Sequence, residues 1–303
     1  MSESSGLVAL NTGCSWPSRC IVRVVATAII VVLVASPETT NADSQQYSVV
    51  ARLDARSARL TPGEVVVRVG NMRVQATTIQ ASPEIPRNIA IVIDAGPNQA
   101  NVLSRAKELA TALVNELSDA NTVFSIVRAG ISPKTLAATV DRSIAIEHIR
   151  EIGGDSGKRL NVIINDAIGS AIRQVSASPG LRIVIFIGEG NDGGSRLRYE
   201  QLRSLAESNQ VAFFAALVAD HSLRGAKSIL RFGWNLQELT NDTGGIFLEN
   251  PKTANAVHRL EDTVGRLRVI TFEMPSGLSG RQKISVSSKR GIRLKAQEAV
   301  VIP

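Results

Sequence analysis

Cysteine is almost missing from the 303 residues: Cys14 and Cys20 are the two present, both ahead of residue 24. A chain trimmed of that leader has no disulfide, no thiol nucleophile and no thiolate metal ligand. Histidine is nearly as scarce. His148, His221 and His258 are the three imidazoles, and no two stand at metal-ligand spacing, so each reads as a solvated or helix-face residue. Aromatic residues make up 4% of the sequence, too few for a stacking platform, so nucleic acid is not an expected partner. The G-x-S-x-G signature is absent, and Ser156 and Ser195 lie in glycine-rich loops with no identifiable base, which argues against a serine hydrolase.

The remaining composition is that of a globular protein, with 44% hydrophobic and 20% charged residues. A formal charge of +7 makes it basic, but Lys and Arg stand singly among acids, so the surplus is expected to be dispersed over a solvated surface. The leader has a clear role. Arg19 and Arg23 precede an apolar run over 24–35, which is short for a bilayer span and suits a secretory signal. Cleavage after Ala42 or near Ala35 would release an exported chain, periplasmic or extracellular; an uncleaved N-terminal anchor over 1–42 is the alternative. Membrane contact is expected only through that segment.

From 43 to 82 the texture is β-rich. Segments 47–53 and 65–69 carry β-branched residues, with turns at 61–64 and 70–71, predicting a small antiparallel sheet of about three strands. Pro83 and Pro86 mark a linker. Between 88 and 265 strands alternate with helices: strands at 88–94, 122–127, 135–140, 182–187, 211–218 and 246–248, and helices at 100–117, 144–152, 162–175, 199–208, 235–240 and 253–267. A C-terminal β segment, 266–303, carries strands at 269–274, 283–286 and 292–296. The expected fold is α/β: a doubly wound, mostly parallel, Rossmann-like sheet flanked by small β segments at both ends. Ligands of such sheets bind beyond the carboxyl ends of the strands, where strand order reverses. If the strand ending at Asp94 lies beside the one leading into Glu189, two acids face one crevice.

Asp94-Ala95-Gly96-Pro97-Asn98 follows the first buried strand, where an acid and small polar residues can offer oxygen ligands to Mg²⁺. This loop resembles the start of the metal-ion-dependent adhesion site of the von Willebrand factor type A domain, Asp-x-Ser-x-Ser. Four further segments are similar to that family in the same order: Asn165-Asp166-Ala167-Ile168, Ile187-Gly188-Glu189-Gly190-Asn191-Asp192, Leu239-Thr240-Asn241-Asp242-Thr243-Gly244-Gly245, and Lys283-Ile284-Ser285-Val286 in the tail. The resemblance runs from about Tyr47 to the C-terminus and matches a branch common in exported bacterial proteins. It implies a type A fold and a protein partner. The metal site implied is a degenerate one. Gly96 and Asn98 replace the serines, Glu189 replaces the second aspartate, and the family's threonine falls on Val162, or one residue earlier on Asn161. Asp94, Asn98 and Glu189 are the ligands left for a weakly held Mg²⁺ or Mn²⁺; no other cofactor is expected. Otherwise Asp94 caps the following turn and Glu189 is solvated at the sheet's edge.

Two glycine-rich loops offer rival readings. Gly188-Glu189-Gly190-Asn191-Asp192-Gly193 satisfies G-x-G-x-x-G after a strand, with Asp220 at the end of the next strand as a ribose-binding acid. Glu189 and Asp192 would repel a pyrophosphate there, and Gly194 and Ser195 delay the helix whose N-terminus should receive it. The 152–159 loop lacks the spacing of a phosphate loop and is expected to be flexible. Arg224, Lys227 and Arg231 read as a solvated basic surface. The expectation is a non-enzymatic, exported protein-binding domain, against the alternatives of a nucleotide-binding enzyme using the Gly188–Gly193 loop or a structural envelope protein.

Overall fold

Apolar runs long enough to be buried on both faces become the middle of a parallel sheet, as their composition dictates. The computed structural model describes residues 46–54, 59–97, 100–156, 162–218, 227–274 and 276–302. The leader, with Arg19, Arg23 and both cysteines, lies outside them, as do Asn98, Asn161, Asp220, His221 and Arg224. The chain divides into Met1–Ala42 and Asp43–Pro303, and every described residue belongs to the second unit. No helix among the described residues is long and apolar enough to cross a membrane.

Six strands form the parallel-type sheet: β4 (Arg87–Asp94), β5 (Thr122–Ala129), β6 (Lys134–Thr135), β7 (Leu181–Gly188), β8 (Val211–Leu217) and β9 (Phe247–Glu249). Their order is β6-β5-β4-β7-β8-β9, all parallel except β6. Side chains alternate between two cores. Ile89, Ile91 and Ile93 join α1 (Ala100–Leu117), α2 (Arg142–Glu151) and α6 (Thr253–Gly265) on one face. Ala90 and Val92 join α3 (Ile164–Ser176), α4 (Tyr199–Ser208) and α5 (Lys227–Asp242) on the other. This is the doubly wound layer expected from the alternation. The strand predicted over 135–140 shrinks to two exposed residues and one bridge, Phe124 to Thr139. Helix α5 is longer than the 235–240 segment predicted, because Gly233 weakens the helical pattern. That glycine brings the helix close to β8: a Cβ there would stand 3.3 Å from Leu217 Cδ1.

The flanking β segments are not two small pieces. Strands β1 (Gln46–Leu53), β2 (Val65–Val69) and β3 (Met72–Ala81) combine with β10 (Leu267–Glu273), β11 (Gly280–Ser288), β12 (Leu294–Ala296) and β13 (Ala299–Ile302) in one seven-stranded sheet. Its order is β12-β1-β10-β3-β2-β11-β13, antiparallel throughout. β12 and β13 lie at opposite ends of that order, yet Gln297-Glu298 alone separates them. Gln297 N donates to Val50 O on the β1 side, and Ile284 N of β11 donates to Glu298 O. The sheet is therefore rolled until its edges meet. Inward-facing Val49, Ala51, Val65, Val67, Val69, Ile270, Phe272, Ile284 and Val300 fill its interior. The α/β layer is inserted between β3 and β10, which pair at Ala81 and Arg268.

A buried acid joins the two sheets. Glu207 of α4 is fully buried and accepts two bonds from Arg281 of β11, at 2.7 and 2.6 Å, and one from Arg203 at 3.2 Å. Arg203 also pairs with Asp242 at 2.7 Å, and Gln297 Nε2 donates to Glu207 O at 2.7 Å.

Candidate functional site

Strand order reverses on either side of β4, so the carboxyl ends of β4 and β7 form the switch point, with Asp94 ending β4 and Glu189 directly following β7. Both acids are where the alternation placed them, but neither faces an open crevice. Asp94 is 1% exposed and Glu189 0%, which corrects the expectation of a solvated Glu189. Asp94 Oδ1 accepts from Gly96 N at 3.0 Å, closing the turn after β4. Its Oδ2 accepts from Gly190 N at 3.1 Å, reaching across to the loop after β7. The carboxylate is a brace between two loops. Such proximity requires a glycine at the end of β7, since a Cβ at Gly188 would lie 2.1 Å from Asp94 Cβ.

An octahedral magnesium shell takes carboxylate oxygens that can turn toward the ion and keeps several waters. Asp94 is bound by amides beneath the surface, Gly96 brings no side-chain oxygen, and Asn98 lies outside the described residues. Among the described residues no group of three His, Cys, Asp or Glu side chains is placed to hold a metal. Val162, one of the two positions matched to the family's threonine, is an apolar residue buried in the core.

The loop after β7 is pinned by contacts the sequence did not announce. Helix α3 begins after Ile163, which has no side-chain oxygen to satisfy the first helical N–H groups. Asp192 supplies it from a distance: its Oδ1 accepts from Ile164 N at 2.8 Å and from Ser195 Oγ at 2.6 Å. Ser195 Oγ in turn accepts from Asp166 N at 3.2 Å. Asp166 then accepts from Arg196 N at 3.1 Å and Leu197 N at 2.8 Å. Burial raises the Asp192 carboxyl above its ordinary range, opposed by the bonds from Ser195 and the α3 backbone. Gly193 N and Gly194 N both donate to Val162 O, at 3.1 and 3.0 Å. The glycine-rich segment thus turns its amides inward, toward Asp94 and Val162.

A second clamp holds the neighbouring loop. Asp155 pairs with Arg128 of β5 and accepts from Ile131 N at 2.5 Å, while Arg128 Nε donates to Gly153 O at 3.1 Å. Asp155 N donates to Ala95 O at 2.9 Å. These bonds hold the described part of the 152–159 loop at Gly153 and Asp155; 157–161 lie outside the described residues. The exposed crest is built from Ser132 and parts of 153–156 and 191–198, with Asp94 below it.

The segment before β9 is held in the same way. Thr243 Oγ1 donates to Leu239 O at 2.7 Å and accepts from Phe213 N at 3.0 Å. Gly245 is obligatory, because a Cβ there would fall 1.8 Å from Phe213 O. Order of strands, the acid at the switch point and this Thr-Gly-Gly turn now stand together. These are the features on which the resemblance of the α/β layer to the von Willebrand factor type A fold rests.

Solved structures similar to the chain include a von Willebrand factor type A protein from Catenulispora acidiphila, 12% identical with a TM-score of 0.48, covering 86% of this chain and 75% of that one. An aerotolerance-related membrane protein from Bacteroides fragilis is 16% identical with a TM-score of 0.47, covering 58% of this chain and 98% of the other. The manganese-loaded TRAP protein of Plasmodium vivax is 11% identical with a TM-score of 0.48, covering 79% of this chain and all 100% of its own. No family model matches the chain, and neither does any curated protein.

Proposed function

We propose that this is an exported, non-catalytic type A-like domain that binds a protein partner through the loops at the carboxyl edge of its parallel sheet, with metal dependence weakened or lost. The observation that carries the reading is the pair of amide bonds from Gly96 and Gly190 onto Asp94. They use the acid to hold two crest loops together instead of offering it to an ion. With Asp155 and Asp192 acting in the same way, the crest presents a fixed surface, and a preorganised surface loses little conformational entropy on binding. A nucleotide-binding enzyme fits less well, because the amides of Gly190, Gly193 and Gly194 that would cradle a phosphate are directed to Asp94 and Val162.

Calorimetric titration with Mg²⁺ and Mn²⁺, on the wild type and on Asp94→Ala, tests the metal half. No Asp94-dependent heat is expected, and tight binding that vanishes in the variant would sink the reading. Capture of the partner from envelope extracts should be reduced by Arg196→Glu with Arg198→Glu, both exposed on the crest. If capture depends instead on the rolled β sheet, the structural-envelope alternative takes its place.

A further inference from the structure

The basic surplus is not dispersed once the chain is folded. The two segments that build the rolled sheet, 46–81 and 267–302, carry 12 Lys and Arg against 4 Asp and Glu, while 87–266 carries 20 against 19. Sequence distance hid this, because the two basic segments lie at opposite ends of the second unit and meet only when β10 pairs with β1 and β3. Part of the surplus is gathered on one outer face. Arg68 of β2 stands directly opposite Arg73 of β3 on one side and Ser285 of β11 on the other. Lys283 is two residues along β11 from Ser285 and projects to the same outer side. Arg68, Arg73 and Lys283 are all exposed, and no ion pair among the described residues includes any of them. Beside them is a depression of about 270 Å³ lined by Val66, Arg73, Gln75 and Lys289.

Like charges directly opposite across a strand pair destabilise a sheet, so this arrangement is at odds with stability alone. An opposing layer of negative charge would relieve it. We propose that this face of the rolled sheet docks on the anionic phospholipid headgroups of a membrane surface. Two observations favour lipid over other polyanions. The cations are spread over three adjacent strands without interleaved aromatic residues, a pattern suited to a diffuse plane of charge. In sequence, β1 follows the apolar run 24–35 after ten residues, 36–45, so the rolled sheet is the part of the fold that the chain enters first after the membrane-directed segment. The face is distinct from the crest, and leaves the crest free for its partner.

Vesicle sedimentation tests the proposal with residues 43–303, which contain both sheets and all three hydrophobic cores and lack the apolar run. Phosphatidylcholine vesicles containing phosphatidylglycerol should pellet the protein, and phosphatidylcholine alone should not. Raised salt should release it. Arg68→Glu, Arg73→Glu and Lys283→Glu together should weaken binding at least about 100-fold. Lys134→Glu, Arg142→Glu and Arg259→Glu make the same change in net charge on the α/β layer, and should leave most of the binding. Circular dichroism of both triple variants checks that they fold. Equal loss in the two triples would show that net charge acts and not this face, and would overturn the proposal. Binding that survives the first triple would do the same. Capture of soluble poly-glutamate by wild type but no pelleting with anionic vesicles would assign the face to an acidic protein instead.

Discussion

Gly188 lies against Asp94 so closely that a Cβ built on the glycine would stand 2.1 Å from the aspartate's own Cβ and 3.0 Å from its Cγ. The two residues sit on neighbouring parallel strands whose register runs unbroken from Arg87 and Leu181 to Ile93 and Ile187. No rotamer of Asp94 moves its Cβ away, so the backbones must part. Gly188→Ala should therefore destabilise the protein by about 1–3 kcal/mol, the usual range for overpacking. Urea unfolding measures it as a lower midpoint at unchanged m-value. A loss below about 0.5 kcal/mol, the size of a neutral surface change, would mean that the switch point is loosely packed.

Asp94→Asn separates the brace from the charge. The amide keeps one oxygen for either Gly96 N or Gly190 N, but its NH₂ must face the other donor. A buried N–H left without an acceptor costs about 1–3 kcal/mol. Amide exchange should accelerate at one of these two glycines and hardly change in α1, which lies outside this pair of bonds. Unchanged exchange at both glycines would remove the bracing role.

The layer and its switch point were legible because β4 and β7 are buried on both faces and had to be written as apolar runs. The position of Asp94 and Glu189 follows from that alone. Their burial does not. Asp94 is met there by the Gly190 amide, a contact 96 residues apart in sequence. Asp166 and Asp192 were visible as members of a motif, but Asp192 works by capping a helix whose own cap position is Ile163, and Asp166 by accepting from the backbone of Arg196 and Leu197. No local pattern records a cap supplied from 28 residues away. The rolled sheet was read as two fragments for a similar reason. Gln46 pairs with Glu273, so neither segment carries its partner's register nearby. Ala299–Ile302 went unread as a strand because four apolar residues at a chain end resemble any short tail.

Asp242 makes the joint between the sheets sensitive to pH. Burial raises its carboxyl to about 6; Arg203 opposes the rise, and Glu298, Glu207 and Glu238 add to it. A carboxyl with a raised folded value binds its proton more tightly in the folded chain than in the unfolded one. Its contribution to stability is therefore full below the unfolded value of 3.8 and is lost as pH rises through about 6. Wild type and Asp242→Asn should differ accordingly: the stability of wild type relative to the variant falls between about pH 4 and 6 and is level above. Chemical unfolding of both proteins at several pH values gives the difference directly. A difference independent of pH over that window would show that Asp242 titrates like a solvated acid.

Glu207 and Arg281 decide how firmly the rolled sheet is tied to the α/β layer. The carboxylate has no exposed surface, while the guanidinium is 49% exposed, so the two truncations are not equivalent. Arg281→Leu leaves a buried charge facing Arg203 without its two-bond partner, and should cost about 2–4 kcal/mol, near the range for breaking a buried pair. Glu207→Gln leaves Arg281 able to reach water and should cost less. The double variant should be more stable than the sum of the two losses requires, because removing the second partner also removes the stranded charge. A coupling energy above about 1 kcal/mol in this cycle is expected from thermal or urea unfolding. A value near zero would place the attachment of the two sheets elsewhere, on Gln297 Nε2 and its bond to Glu207 O, which Gln297→Ala would then expose.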